Sequence, residues 1–157
     1  MSDHSHEAQH YPADNPAVTA HISLLQGIIN RLANNSASCK TWCLTLVGAL
    51  LSLAGATHVP GIVTFALVAV AIFGLMDTMY LAEEMAYRDL YNSTVQAIRD
   101  GKYGRHNFYE ARASLSLSNF ISAVVSWSIF PVYLSLVLAY AVAVATGWLA
   151  VFAVVAK

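Results

Sequence analysis

Between Lys40 and Asp77 the chain carries no Lys, Arg, Asp or Glu. An uncharged stretch of that length is too apolar for a chain of 157 residues to hide in its own interior. Gly55, His58, Pro60 and Gly61 supply turn residues near its middle. Thr41–Val59 and Gly61–Met76 therefore read as a tight transmembrane hairpin, each arm near the short limit of about 17–25 residues for a bilayer span. Composition agrees: 57% of the residues are hydrophobic and only 11% charged, richer in apolar residues and poorer in charge than a soluble domain. The net charge of −1 gives no reason to expect a nucleic-acid partner.

The second arm does not stop where the charge begins. No Gly or Pro lies between Gly74 and Gly101, so Val59–Ile98 reads as one helix, half in lipid and half in water. Beyond Asp77 its residues Tyr80, Glu84, Tyr87, Tyr91, Thr94 and Ile98 recur in steps of four and three, an aromatic stripe suited to packing against another helix. Glu84 and Arg88 are spaced for an ion pair on one helix face, worth about 0.3–0.5 kcal/mol when exposed. Asp77, at the end of the apolar run, has two readings: a pore-lining or gating carboxylate, or an interfacial one bonded to Thr78, Tyr80 or a nearby helix.

The flanks complete an all-α integral membrane protein. Met1–Asp14 is polar and His-rich, has neither the basic start nor the apolar core of a signal peptide, and is expected to be disordered. His4, His6 and His10 within it have no rigid surroundings to make them metal ligands. Asn15 and Pro16 form a helix start, cap then first-turn proline. Val18, Ile22, Leu25, Ile29 and Leu32 then mark an amphipathic helix over residues 15–38, with His21, Gln26, Asn30, Arg31 and Asn34 away from the centre of its stripe. The run ANNSAS, Ala33–Ser38, suggests a bend before the first span, and Lys40 and Trp42 suit the membrane interface. Cys39 and Cys43 share a face and are expected to be free thiols, since two ligands do not make a metal site.

After the glycine turn DGKYG, Asn107 and Glu110 have the spacing of a capping box, which predicts a cytoplasmic or interfacial helix over Phe108–Val125. Trp127–Val155 is the predicted last span, kinked near Trp127 by Pro131. Residues 105–157 thus supply a third span. Four spans, with a turn at Pro131, is the alternative, disfavoured because an unpaired turn in lipid is costly. Arg31 and Lys40 precede the first span, and Arg88, Arg99, Lys102, Arg105 and Arg112 follow the second, which puts the N-terminus on the cytoplasmic side. Asn34 and Asn92 begin glycosylation patterns, but both fall on that side. Ser135, Ala139, Ala143 and Gly147 recur every four residues, a small-residue face on which transmembrane helices approach closely, within one chain or between copies. No phosphate loop, metal cluster or nucleophile motif is present, so neither an enzyme nor a cofactor is expected.

One motif carries a resemblance. The segment Tyr80, Glu84, Tyr87, Arg88, Leu90 and Tyr91 follows a transmembrane hairpin, with HISLLQGIINRLANNSASCKTW upstream and SWSIFPVYL downstream. This pattern resembles small bacterial membrane proteins, similar in outline to the SLATT group of two-helix effector modules in conflict systems, with a third apolar stretch added here. The resemblance implies an oligomeric inner-membrane effector of anti-phage defence. A cytosolic defence protein or a nucleotide signal would trigger it through Tyr80, Glu84, Tyr87, Arg88 and Tyr91, and it would open a channel or disrupt the bilayer. A reading of another class is a structural anchor that recruits a soluble partner through the same aromatic stripe.

Overall fold

The computed structural model describes residues 15–57, 59, 61–104, 107 and 110–145. The tail with His4, His6 and His10 lies outside them, as do Gly147 and the side chain of Ala143. The described chain is helical: α1 (Pro16–Thr57), α2 (Ile62–Arg99), α3 (Leu117–Val124) and α4 (Phe130–Ala145). The first two are about 63 Å and 57 Å long at 1.5 Å per residue. Each is long and apolar enough to cross a membrane.

α1 starts as its sequence predicts. The Asn15 side chain accepts from the Ala17 amide at 2.9 Å, and its carbonyl takes the Val18 and Thr19 amides. The bend expected at Ala33–Ser38 does not form, and one helix runs through it. The small polar residues there stay within the helix. Ser38 donates to the Asn34 carbonyl at 2.8 Å, and Thr41, Thr45, Ser52 and Thr57 likewise turn back four residues. The amphipathic segment and the first apolar segment are therefore one arm of a hairpin.

A single seam joins the arms. From α1 it buries Val18, His21, Leu25, Leu32, Ser36, Cys39, Cys43, Val47 and Ala54, spaced by threes, fours and sevens. From α2 it buries Val63, Ala66, Val70, Asp77, Glu84 and Thr94. His21, expected off the centre of the stripe, is 1% exposed. It keeps the same step from Val18 and to Leu25 as the rest of the seam. Leu24 apart, the large exposed apolar side chains cover only part of the hairpin, from Trp42 to Leu53 on α1 and from Phe65 to Met79 on α2.

α2 ends at a glycine with φ 68°. The Gly101 amide bonds the Ile98 carbonyl and the Lys102 amide the Ala97 carbonyl, which closes the helix end in a Schellman motif. Gly101→Ala should cost about 1 kcal/mol, because a Cβ is strained in the left-handed region. Thermal unfolding in detergent checks this.

The predicted helix Phe108–Val125 is corrected in its first half. Residues 110–116 are not helical, and α3 begins at Leu117. Asn107 does not cap a helix there, since its side-chain oxygen accepts the Gly104 amide at 3.1 Å. The cap is Ser116, whose Oγ accepts the Asn119 amide at 3.1 Å. The predicted kink at Pro131 is also replaced by a break. α3 ends at Val124, Ser126 starts a turn, and Pro131 is the second residue of α4. In a first turn the missing N–H has no helical partner to lose, so the proline starts the helix instead of bending it.

α4 seats on α2 at Gly74. A Cβ there would lie 3.2 Å from the Tyr133 ring, and the Tyr133 hydroxyl donates to the Phe73 carbonyl at 3.3 Å. Ile129 and Tyr133 join Cys43, Val47, Ala66 and Val70 in one apolar cluster. Gly74→Val should displace the ring and cost about 1–3 kcal/mol. Increased exchange of the α4 amides with α2 unchanged is the expected signature.

Candidate functional site

Asp77 is the most deeply buried charge described, with a side chain 0% exposed. Its partners come from α1. The Lys40 ammonium lies 2.9 Å from Oδ1 and 2.7 Å from Oδ2, and the Ser36 hydroxyl donates to Oδ1 at 2.5 Å. Lys40 also donates to Ser36 at 3.0 Å, so the three form a closed triangle. Thr78, one of the partners expected for Asp77, instead donates to the Gly74 carbonyl at 2.7 Å. The Tyr133 hydroxyl faces the same carboxylate from α4. Cys39 and Cys43, both free, lie buried in the seam one turn apart. Chemically the arrangement is a neutralised ion pair. Lys40, with 19% side-chain exposure, is its wetter member.

The sequence contained a signal for this pair. Lys40 and Asp77 are the last charge before the uncharged stretch and the first after it, so a hairpin that turns midway brings them together. A second cross-link keeps the same register. Fourteen residues further from the turn on both helices, the Gln26 amide donates to the Tyr91 hydroxyl at 3.3 Å.

The aromatic segment does not form one surface. Tyr80 is half-buried. Glu84 is buried in the seam and held by Arg88, whose Nε and Nη2 lie 2.8 Å and 2.6 Å from Oε1. Tyr87 donates to the Ala111 carbonyl at 2.9 Å. Arg88 and Tyr91 instead border an open groove of about 480 Å³ with Gln26, Ile29, Asn30 and Asn92. This groove presents amide, hydroxyl and guanidinium groups and no carboxylate among its lining residues.

Two residues given no role in the sequence reading form the other buried polar contact. His21 Nδ1 lies 2.7 Å from the Tyr103 hydroxyl, and Nε2 lies 3.0 Å from the Glu110 carbonyl. A carbonyl only accepts, so Nε2 carries a hydrogen. In that tautomer Nδ1 accepts the Tyr103 hydroxyl. Tyr103 is 0% exposed.

Ser135 and Ala139 are exposed on α4, as are Gly48 and Ser52 on α1, so these small-residue positions make no close packing within the chain. Among the described residues no group of three or more His, Cys, Asp or Glu converges. No protein-family model matches the chain, and no curated protein or solved structure matches it either.

Proposed function

We propose that the chain is an oligomeric effector of the bacterial inner membrane, acting in anti-phage defence. The cytoplasmic halves of α1 and α2 receive the trigger, a cytosolic defence protein or a nucleotide signal, and the apolar halves form a channel or disrupt the bilayer. The observation that carries the reading is that the outward apolar surface of both hairpin arms ends beside one buried ion pair while both helices continue past it. From Lys40 to Thr57 is about 26 Å of helix, close to the roughly 30 Å of a bilayer's hydrocarbon core. Lys40 and Asp77 then stand at the cytoplasmic boundary, where Lys40 can reach water and Asp77 is neutralised. Arg31, Arg88, Arg99, Lys102 and Arg112 give that side its positive charge. α4 returns into the bilayer as the third span. The exposed small residues Ser135 and Ala139 supply a face for another copy. Defence rests on the resemblance of the Tyr80–Tyr91 segment. The test is to express the chain with and without its genomic neighbours and follow membrane potential during phage challenge. Depolarisation with phage resistance is expected, and no change in either would sink the proposal.

The groove beside Arg88 and Tyr91 favours a second reading, a membrane anchor that recruits a soluble partner. In that case Arg88→Ala/Tyr91→Ala loses the partner in pull-downs and keeps membrane insertion, while membrane potential never responds.

A further inference from the structure

The connection from α2 to α3 is bound to both arms of the hairpin by side chains distant in sequence. On α1, His21 holds the Tyr103 hydroxyl with one ring nitrogen and the Glu110 carbonyl with the other. On α2, Tyr87 holds the carbonyl of the very next residue, Ala111. The adjacent carbonyls of Glu110 and Ala111 are thus tied to different helices, and this short piece of backbone bridges them. Beyond it, Ala113 and Leu115 lie against Glu83, Ala86 and Tyr87, with a cavity of about 150 Å³ left between them. The covered residues belong to the aromatic face of α2, and Ala86 beneath is only 4% exposed.

The contact has the makings of a removable cover. Residues 110–116 have no helix or strand of their own, so their backbone groups depend on contacts of this kind. Leu115 is 57% exposed, so little apolar burial holds the outer part down. Its carbonyls at Glu110 and Ala111 are held by the hydrogen bonds from His21 and Tyr87, and the Glu110 amide bonds the Asn107 carbonyl at 3.3 Å. Segments of few buried contacts and few backbone bonds open well below the global unfolding energy.

We propose that Glu110–Leu115 is a strap, latched by His21 and Tyr103, that covers the Tyr87 side of α2 and lifts from it while the hairpin beneath stays closed. The strap regulates the trigger surface proposed above and rests on that reading only for what its lifting permits. With the strap down, Tyr87 spends its hydroxyl on Ala111 and its ring lies under the cover. With it lifted, Tyr87 and Ala86 are uncovered, while the seam below stays shut through Leu25 and Glu84.

The experiment uses the full chain in lipid nanodiscs and compares wild type with Tyr103→Phe and His21→Ala. Tyr103→Phe keeps the buried ring and removes only the hydroxyl. Hydrogen exchange is read over residues 110–116 and over Thr45–Leu53 and Val63–Val70, and hydroxyl-radical footprinting reads Tyr87. Both variants should raise exchange over 110–116 by about tenfold, with the apolar helices unchanged. Oxidation of Tyr87 should rise with it. Unchanged exchange in both variants would overturn the latch. Faster exchange with Tyr87 still protected would overturn the cover. Faster exchange in the apolar helices as well would mean that His21 and Tyr103 hold the hairpin itself, and would overturn the strap. None of these readouts involves membrane potential. An unchanged potential under phage challenge, beside a strap that lifts as described, would sink the effector reading alone.

Discussion

Lys40→Met should destabilise the hairpin by about 3–5 kcal/mol, the largest loss expected from a single substitution. The cost lies in what remains. The Asp77 carboxylate, 0% exposed, would keep the Ser36 hydroxyl and the nearby Tyr133 hydroxyl but no countercharge. Asp77→Asn should cost less, about 1–3 kcal/mol, because the freed ammonium can turn outward on its flexible stem. Lys40→Met/Asp77→Leu should recover most of the stability, since a buried ion pair replaced by apolar residues of similar size is often neutral. Unfolding of purified protein in mixed detergent micelles ranks the three. Lys40→Met no worse than Asp77→Asn would show that the pair is hydrated rather than buried.

Leu25→Ala should cost about 2–5 kcal/mol. Leu25 is 0% exposed and sits in the half of the seam beyond the ion pair, outside the uncharged stretch, where in the proposed topology removing a side chain forfeits transfer energy and leaves a cavity. The two halves of the seam should differ in kind. Val18, 2% exposed, lies in the same half as Leu25, and Val63, 3% exposed, lies beside the turn in the apolar half. With the turn in or beyond lipid, Val63→Ala loses packing but no hydrophobic drive, because lipid tails are as apolar as the seam. Val18→Ala should therefore cost more than Val63→Ala. Equal losses in bilayers would mean that both ends of the hairpin see the same solvent. Exchange of the α1 amides before Ser36 locates the damage from Leu25→Ala.

The hairpin was readable from the chain because its signals are local. An uncharged run with turn residues at its centre gives two helices, and the charges that bound it meet when it folds. The aromatic stripe on α2 has the seam's period, and Glu84 with Thr94 occupies it. Where reading failed, a distant residue overrode a local preference. Residues 110–116 contain good helix formers, but the carbonyls of Glu110 and Ala111 are taken by His21 and Tyr87, 89 and 24 residues away. ANNSAS looks like a break in isolation. In the fold Ser36 turns into the seam toward Asp77, and the exposed Asn34 and Ser38 bond along the helix. His21 was legible by spacing alone, but a polar residue on a helix is read as solvated until a tyrosine is found above it.

The shared register of Gln26 with Tyr91 and Lys40 with Asp77 limits how the molecule can move. Sliding one arm past the other by a single turn, about 5.4 Å, would carry the ammonium a full step from its carboxylate and break the second link together with the first. Piston motion along the long axis is thereby blocked. The arms retain hinging apart and rolling about their own axes, and a push delivered at one end can travel to the other only as an angle.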